Sequence, residues 1–271
     1  DILTQVAQVD QKVGLSIDQL KNIICDYDGL MIRSGTQVTS DVIAEAKKLR
    51  IIGRAGVGVD NVDVPTATRK GVLVVNSPGG NTIAAAEHAL AMILALSRNI
   101  PQAHASMFSG GWDRKKYVGN ELYKKTLGVV GLGKIGSHVA KVANAMGMEV
   151  IGFDPFVSTE RAQQMQVVLS DIEELFKKSD YVTLHLPRTP ETENLVDMDL
   201  LRKMKPTARL VNCARGGIIN ENDLANALEE NVIQGAAIDV YAKEPLAEES
   251  PLRAVKKGLV LTPHLGASTV E

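Results

Sequence analysis

The chain has 271 residues, 45% of them apolar and 23% charged, with 23 glycines and only 4% aromatic residues. This is enough for about two domains, and the composition excludes a disordered or fibrous chain. With 30 basic against 32 acidic residues the net charge is −2, so bulk charge draws the chain neither to nucleic acid nor to a membrane surface.

Two cysteines, Cys25 and Cys213, make no disulfide framework. They point to a reducing compartment, here the cytoplasm. The chain opens on Asp1 rather than Met and reads as a piece of a longer one, so an organelle address would precede Asp1. Apolar, β-branched runs recur at 30–33, 51–55, 72–76, 126–130, 150–154, 181–186, 210–214, 236–240 and 259–262. Most lack polar/apolar alternation, as expected of strands covered on both faces of a parallel sheet. Helical patterns separate them, which means βαβ units.

The rhythm breaks between Ile83 and Tyr123. The run IAAAEHALAMILAL, 83–96, is too short to span a bilayer and carries Glu87 and His88. It reads as a helix buried in a core or a subunit interface. Asn81 or Thr82 is the candidate cap for its start. A polar, glycine-containing loop follows. Three strands precede this break and six follow it, giving a smaller and a larger α/β domain. Farther on, Ser170-x-x-Glu173 has the capping-box pattern ahead of IEELFKK. Asn220, with Asp223 three residues on, marks another helix start.

The most informative stretch is TLGVVGLGKIGSHVAKVANAMGMEVIGFDP, 126–155, which holds Gly131-x-Gly133-x-x-Gly136. A strand runs into the triplet. The helix after it carries Ile135, Val139, Val142, Ala143 and Met146 on one face, Gly147 ends it, and a second strand ends at Asp154. Gly131 permits the tight turn, Gly133 lets backbone approach a pyrophosphate, and Gly136 lets helix and strand pack closely. The helix N-terminus favours an anion. Asp154 accepts from ribose hydroxyls and repels a 2′-phosphate, so the expected cofactor is NAD rather than NADP. No spacing suggests a metal site, and none is expected.

These motifs, with GRAGVGVDNVD, VNSPGGNTIAAAEHALAMILALSRNIPQA, WDRKKYVGNEL, HLPRTPET, VNCARGG, AAIDVYAKEP and TPHLGAS in this order, resemble the D-2-hydroxyacid dehydrogenases over essentially the whole chain. IRSGT, GRAGVGVDN and WDRKKYVGNEL resemble the branch that acts on 3-phosphoglycerate. The resemblance implies an α/β fold of two Rossmann-like domains. One is a flavodoxin-like substrate or lid domain at 1–77, with 267–271 beginning its C-terminal return. The other is an NAD-binding domain at 78–266 that includes a dimerisation helix and loop at 81–123. The implied activity is NAD-dependent oxidation of 3-phosphoglycerate to 3-phosphohydroxypyruvate, which commits carbon to serine. The alternatives are another small 2-oxo-acid reductase, acting on glyoxylate or hydroxypyruvate, and a dinucleotide-sensing corepressor-like binding protein.

Such an oxidation needs a base near neutral pKa, a group that tunes it, and a cation for the carboxylate and the reacting oxygen. His264, after a strand end, titrates in the right range. Arg215, also after a strand end, offers a planar fork to carboxylate oxygens. By resemblance Glu244 hydrogen-bonds His264 and completes the Arg/Glu/His set. Also by resemblance, Lys134 and Ile135 offer backbone to the pyrophosphate, and His185, Leu186, Pro187 and Thr192 lie beside the adenosine. Cys213, Ala214, Asp239, Gly266 and Ala267 wall the nicotinamide, with Val57 touching it from the lid side. Cys213 is expected to line the cofactor rather than act as a nucleophile. Arg33 and Arg54 face the substrate phosphate, backbone around Gly56 faces its carboxylate, and Arg114 reaches in from a second subunit of a homodimer or higher homo-oligomer. His88, His104 and His138 are left as residues of helices without a site role.

Overall fold

The computed structural model describes residues 2–33, 35–77 and 79–270. They form two compact units, Asp1–Asn81 and Thr82–Glu271.

The first unit runs α1 (Ile17–Ile23), β1 (Gly29–Ile32), α2 (Ser40–Glu45), β2 (Ile51–Arg54), α3 (Val64–Arg69) and β3 (Leu73–Asn76). Its strands form a parallel sheet in the order β1-β2-β3. Each helix starts on a side chain that meets an orphan backbone N–H: Ser16 in a full capping box, Thr39, and Asp63 with Pro65 behind it. The core lies on one face of the sheet, where Ile32 and Ile52 pack with Leu20, Val42, Ile43 and Ala67. Buried Asn61 donates to Arg33 O at 2.9 Å and Thr36 O at 2.6 Å. It thereby pins the loop beyond β1.

The second unit opens with α4 (Thr82–Ser97) and α5 (Ile100–Phe108). It continues with β4 (Thr126–Val130), α6 (Lys134–Ala145), β5 (Glu149–Phe153), α7 (Thr159–Gln164), β6 (Val168–Leu169) and α8 (Ile172–Lys178). The last stretch is β7 (Tyr181–Leu184), α9 (Met198–Leu201), β8 (Arg209–Asn212), α10 (Glu221–Glu229), β9 (Gly235–Ile238), α11 (Pro251–Ala254) and β10 (Leu259–Leu261). The seven strands are all parallel, in the order β10-β9-β8-β7-β4-β5-β6. Strands β7, β8 and β9 are buried at every residue, which explains why they lack polar/apolar alternation: both faces are covered. The chain winds outward from β4 to β6, then returns to place β7 on the other side of β4. That reversal opens a crevice beyond the carboxyl ends of β4 and β7.

On α6, Val139 and Ala143 are fully buried, and Ile135, Val142 and Met146 pack against the same cluster. Gly147, at φ +78, takes the left-handed conformation that ends the helix. Two details differ from the sequence reading. The cap of α8 is Asp171, whose side chain accepts from Glu174 N at 2.9 Å. Ser170 instead continues the strand pairing, donating its N–H to Gly152 O at 2.9 Å, so the start moves one residue on. Strand β6, two residues long, has no pattern long enough to read. Helix α10 does begin at Asn220, which accepts from Asn222 and Asp223 N–H at 3.1 and 3.2 Å. Among the described residues no single helix is long and apolar enough to cross a membrane.

Candidate active site

The loops that follow β4, β5, β7, β8, β9 and β10 lie at the carboxyl edge of the seven-stranded sheet, because its strands all run parallel. At the crevice, Gly131 takes φ +95. A Cβ there would lie 2.6 Å from His185 O, so only glycine lets the ends of β4 and β7 meet. A Cβ at Gly136 would strike the Gly131 carbonyl, while one at Gly133 would meet nothing within 4 Å. Thus Gly136 serves helix–strand packing, and Gly133 leaves open space at the start of α6, a helix with no side-chain cap. Open space beside an uncapped helix start fits a pyrophosphate. Lys134 and Ile135 are the first residues of α6.

Asp154 ends β5 and braces this turn. Its Oδ2 accepts from Leu132 N at 2.8 Å and its Oδ1 from Phe156 N at 2.9 Å. Each oxygen keeps a lone pair for a hydroxyl. Beyond β7, His185 Nε2 lies 3.0 Å from Thr183 Oγ1. Burial pulls its pKa down to about 4, so the ring is neutral. Leu186 and Pro187 follow, and Thr192 folds their loop by donating to Pro187 O at 2.7 Å and accepting from Thr189 N at 2.8 Å.

The ends of β8, β9 and β10 converge beside this crevice. After β8, the Asn212 side chain ties the turn at both ends, donating to Arg215 O at 2.9 Å and accepting from Ala214 N at 3.0 Å. Arg215 Nη1 donates to Ala214 O at 2.7 Å, and the side chain is only partly buried. A Cβ at Gly216 would strike Tyr241 O, so this turn lies directly against the loop after β9. Burial, with the nearby Asp239 charge, pushes the Cys213 thiol well above its ordinary value. A thiol held protonated is a wall, not a nucleophile.

Beyond β10, His264 has φ +56, a left-handed conformation that costs of order 1–3 kcal/mol in a non-glycine residue. The turn is held by His264 N on Thr262 O at 3.1 Å. Leu265 N and Gly266 N add bonds to the two Asp239 oxygens, at 2.8 and 2.9 Å. His264 Nδ1 lies 2.8 Å from Glu244 Oε2, and Glu244 Oε1 accepts from Tyr241 N at 3.1 Å. The imidazole is 43% exposed, and Glu244 takes only its Nδ1. Hydrogen bonding to Glu244 raises the His264 pKa, burial opposes this, and Arg215 opposes it weakly. For Glu244 burial acts upward, but bonds from His264 and the Tyr241 N–H outweigh it and hold the carboxyl low. Buried and facing Asp239 and Glu244, the Tyr241 hydroxyl is pushed up to about 12. It stays a donor, reaching Thr262 O at 2.8 Å and Ile238 O at 3.2 Å and so lacing the two loops together.

A pH prediction follows. For any reaction in which His264 takes up a proton, the imidazole must start neutral, so the rate rises with pH through the raised His264 pKa. Glu244→Gln removes the group that raises it. The acidic limb of kcat/KM then moves to lower pH, while the plateau kcat falls roughly 10- to 100-fold because the imidazolium loses its partner. A pH profile unmoved by Glu244→Gln contradicts this coupling.

Asp239, at the end of β9, has no exposed surface. Burial acts to raise its pKa. Donors from His88, Thr262 and Leu265 N outweigh it and keep the carboxyl ionised. His88 Nε2, Cys213 Sγ and Asp239 also fall within 4.8 Å of one another, but both Asp239 oxygens are taken up by donors. Gly266 is buried and Ala267 exposed.

The remaining expected site residues belong to the first unit or to the loop before β4. Arg33 is exposed just past β1, and Arg54 ends β2 partly buried. Gly56 has φ +147, and a Cβ there would strike the Arg54 guanidinium, so the glycine sets where that cation lies. Val57 O accepts from Asn76 Nδ2 at 2.5 Å. Arg114 is exposed at the start of a 3₁₀ turn, Arg114–Tyr117. Sequence reasoning does not find Thr262, Tyr241, Asn212 and His88 as supports. For His88 a signal exists: it shares a helical stripe with buried Ala85 and Met92, and an imidazole on an apolar stripe needs a partner.

Residues 90–266 match the family described as D-isomer specific 2-hydroxyacid dehydrogenase, NAD binding domain. Over its full length the chain is 60% identical to the D-3-phosphoglycerate dehydrogenase of Synechocystis sp., of which it covers 49%. The chain therefore spans about half the length of the curated relatives it matches. Among solved structures, the TT0316 protein of Thermus thermophilus aligns with a TM-score of 0.87 at 34% identity, covering 97% of this chain and 83% of that one. D-lactate dehydrogenase from Aquifex aeolicus, solved with NAD and lactic acid, aligns at 0.84 and 28% identity, over 92% and 79% of the two chains.

Proposed function

The chain belongs to the D-isomer specific 2-hydroxyacid dehydrogenase family, and from that premise we propose that it oxidises 3-phospho-D-glycerate to 3-phosphohydroxypyruvate with NAD, the step that commits carbon to serine. The observation that carries the proposal is the His264–Glu244 pair, at 2.8 Å, facing the same sheet edge as Arg215 and the glycine turn. NAD supplies a hydride acceptor. Gly131, Gly133, Lys134, Ile135 and Gly136 would hold its pyrophosphate, and Asp154 its ribose. His185, Leu186, Pro187 and Thr192 belong to the adenosine side. Cys213, Ala214, Asp239, Gly266 and Ala267 belong to the nicotinamide side.

His264 takes the C2 hydroxyl proton at Nε2 as the C2–H bond breaks. Glu244 stabilises the resulting imidazolium through Nδ1. Arg215 binds the carboxylate and polarises the reacting oxygen. Absorbance at 340 nm tests the proposal: NADH forms from NAD and 3-phosphoglycerate. Oxidation of lactate with NAD, or reduction of glyoxylate or hydroxypyruvate with NADH, without turnover of 3-phosphoglycerate would reassign the substrate, and no turnover of any 2-hydroxy or 2-oxo acid would sink the enzyme reading.

Substrate choice rests on the first unit. There Arg33 and Arg54 offer fixed charge to a phosphate. The double variant Arg33→Ala/Arg54→Ala should raise KM for 3-phosphoglycerate roughly 10- to 100-fold and barely change glyoxylate reduction. Equal damage to both substrates would defeat the phosphate assignment.

The proposed partner is a second copy of the chain. Phe108 is 85% exposed and Trp112 75%, with Met107 and Val118 exposed close by in sequence, apolar surface that a second copy would cover. Arg114, in the same loop, would then reach the other subunit's phosphate. Sedimentation at micromolar concentration should return a dimer or larger. A monomer would count against this arrangement.

A further inference from the structure

We infer that His88, on α4, is a positioning residue for the proposed reaction: it ties the buried Asp239 carboxylate to the helix layer and, through that carboxylate, holds the turn that carries His264. The inference rests on reading His264 as the proton acceptor.

His88 Nε2 lies 3.3 Å from Asp239 Oδ1 and 3.4 Å from Thr262 Oγ1. Thr262 has a single hydroxyl proton, and the 2.6 Å contact from Oγ1 to Asp239 Oδ1 uses it. Toward His88 that hydroxyl therefore only accepts. Nε2 must therefore carry a proton, which Thr262 Oγ1 accepts while the Asp239 carboxylate lies 3.3 Å away, and this fixes the tautomer without any appeal to titration.

A carboxylate with no exposed surface keeps its charge only if donors surround it. Around Asp239 these are Thr262, Leu265 N, Gly266 N and His88. Three of them belong to the segment after β10. Among the described residues only His88 comes from a helix. Two of the other three are the peptide N–H groups directly following His264. The orientation of the carboxylate and the strained backbone at His264 are thus one mechanical unit, and His88 is its anchor to an element outside the loops.

The test compares His88→Leu with His88→Gln in the purified protein. Leucine fills the space without a donor, whereas the glutamine amide nitrogen reaches about as far as Nε2. We expect kcat to fall about tenfold in His88→Leu, with NADH affinity weakened severalfold, and His88→Gln to stay within about threefold of wild type. Combining His88→Leu with Thr262→Val should cost less than the product of the two single losses, because both act on one carboxylate. Wild-type kcat in both variants would overturn the inference, as would equal losses in the two, since then volume and not the donor matters. Amide hydrogen exchange at Leu265 and Gly266 separates this from the reading of the site. Faster exchange in His88→Leu supports the anchor even if no 2-hydroxy acid is turned over, and unchanged exchange overturns it even if one is.

Discussion

Replacing His264 by Asn is expected to lower kcat for the proposed 3-phosphoglycerate oxidation by roughly 10²- to 10⁴-fold, the usual worth of a positioned general base. Asn is the informative choice because of the backbone. His264 sits at φ +56, and Asn tolerates the left-handed region better than Ala or Leu. The turn keeps its bonds from Leu265 and Gly266 to Asp239, so the loss reports chemistry rather than a collapsed loop. NADH affinity should therefore stay within about threefold of wild type and the melting temperature within a few degrees, since one exposed side chain changes. Full activity in this variant, checked by NADH formation at saturating substrate, would remove His264 from the mechanism.

Replacing Arg215 by Lys keeps the charge and removes the planar fork, and the expected cost is about 10²- to 10³-fold in kcat/KM. The position is built for a rigid cation. Asn212 fixes the turn at both ends, and Gly216 lets it press against the loop that carries Glu244. A lysine ammonium delivers one point of charge on a flexible stem, so it cannot hold a carboxylate and polarise the C2 oxygen in one geometry. The loss should fall on both kcat and KM, because the fork serves the bound acid and the charge that develops during the step. A variant with unchanged kcat and raised KM would mean that Arg215 only binds. An unchanged kcat/KM would mean that it does neither.

What could be read from the sequence divides along physical lines. The buried strands are legible because a parallel sheet covered on both faces leaves mostly apolar runs without alternation, as in 181–184 and 236–238. The glycine turn was legible because backbone contact at Gly131 and Gly136 tolerates no Cβ, and because the apolar face of α6 repeats at helical spacing. Loop partners were not legible in that way. Glu244 and His264 lie 20 residues apart, and only resemblance joined them before the fold did. Asp239 follows a strand and His88 lies on a helix far from it in the chain, so no spacing relates them. Strand β6 is too short to carry a period. The α8 cap was misplaced by one residue because Ser170 and Asp171 are both good caps, and the pairing of Ser170 N–H with β5 decided between them.

The central claim is that His264 and Arg215 act together on one acid carried against the nicotinamide. A crystal structure with NAD and 3-phosphoglycerate bound tests it most directly. The account predicts the C2 hydroxyl about 3 Å from His264 Nε2, the carboxylate on the Arg215 fork, and the nicotinamide against Cys213 and Gly266. A nicotinamide bound away from that wall, or a substrate C2 out of reach of His264, would contradict it.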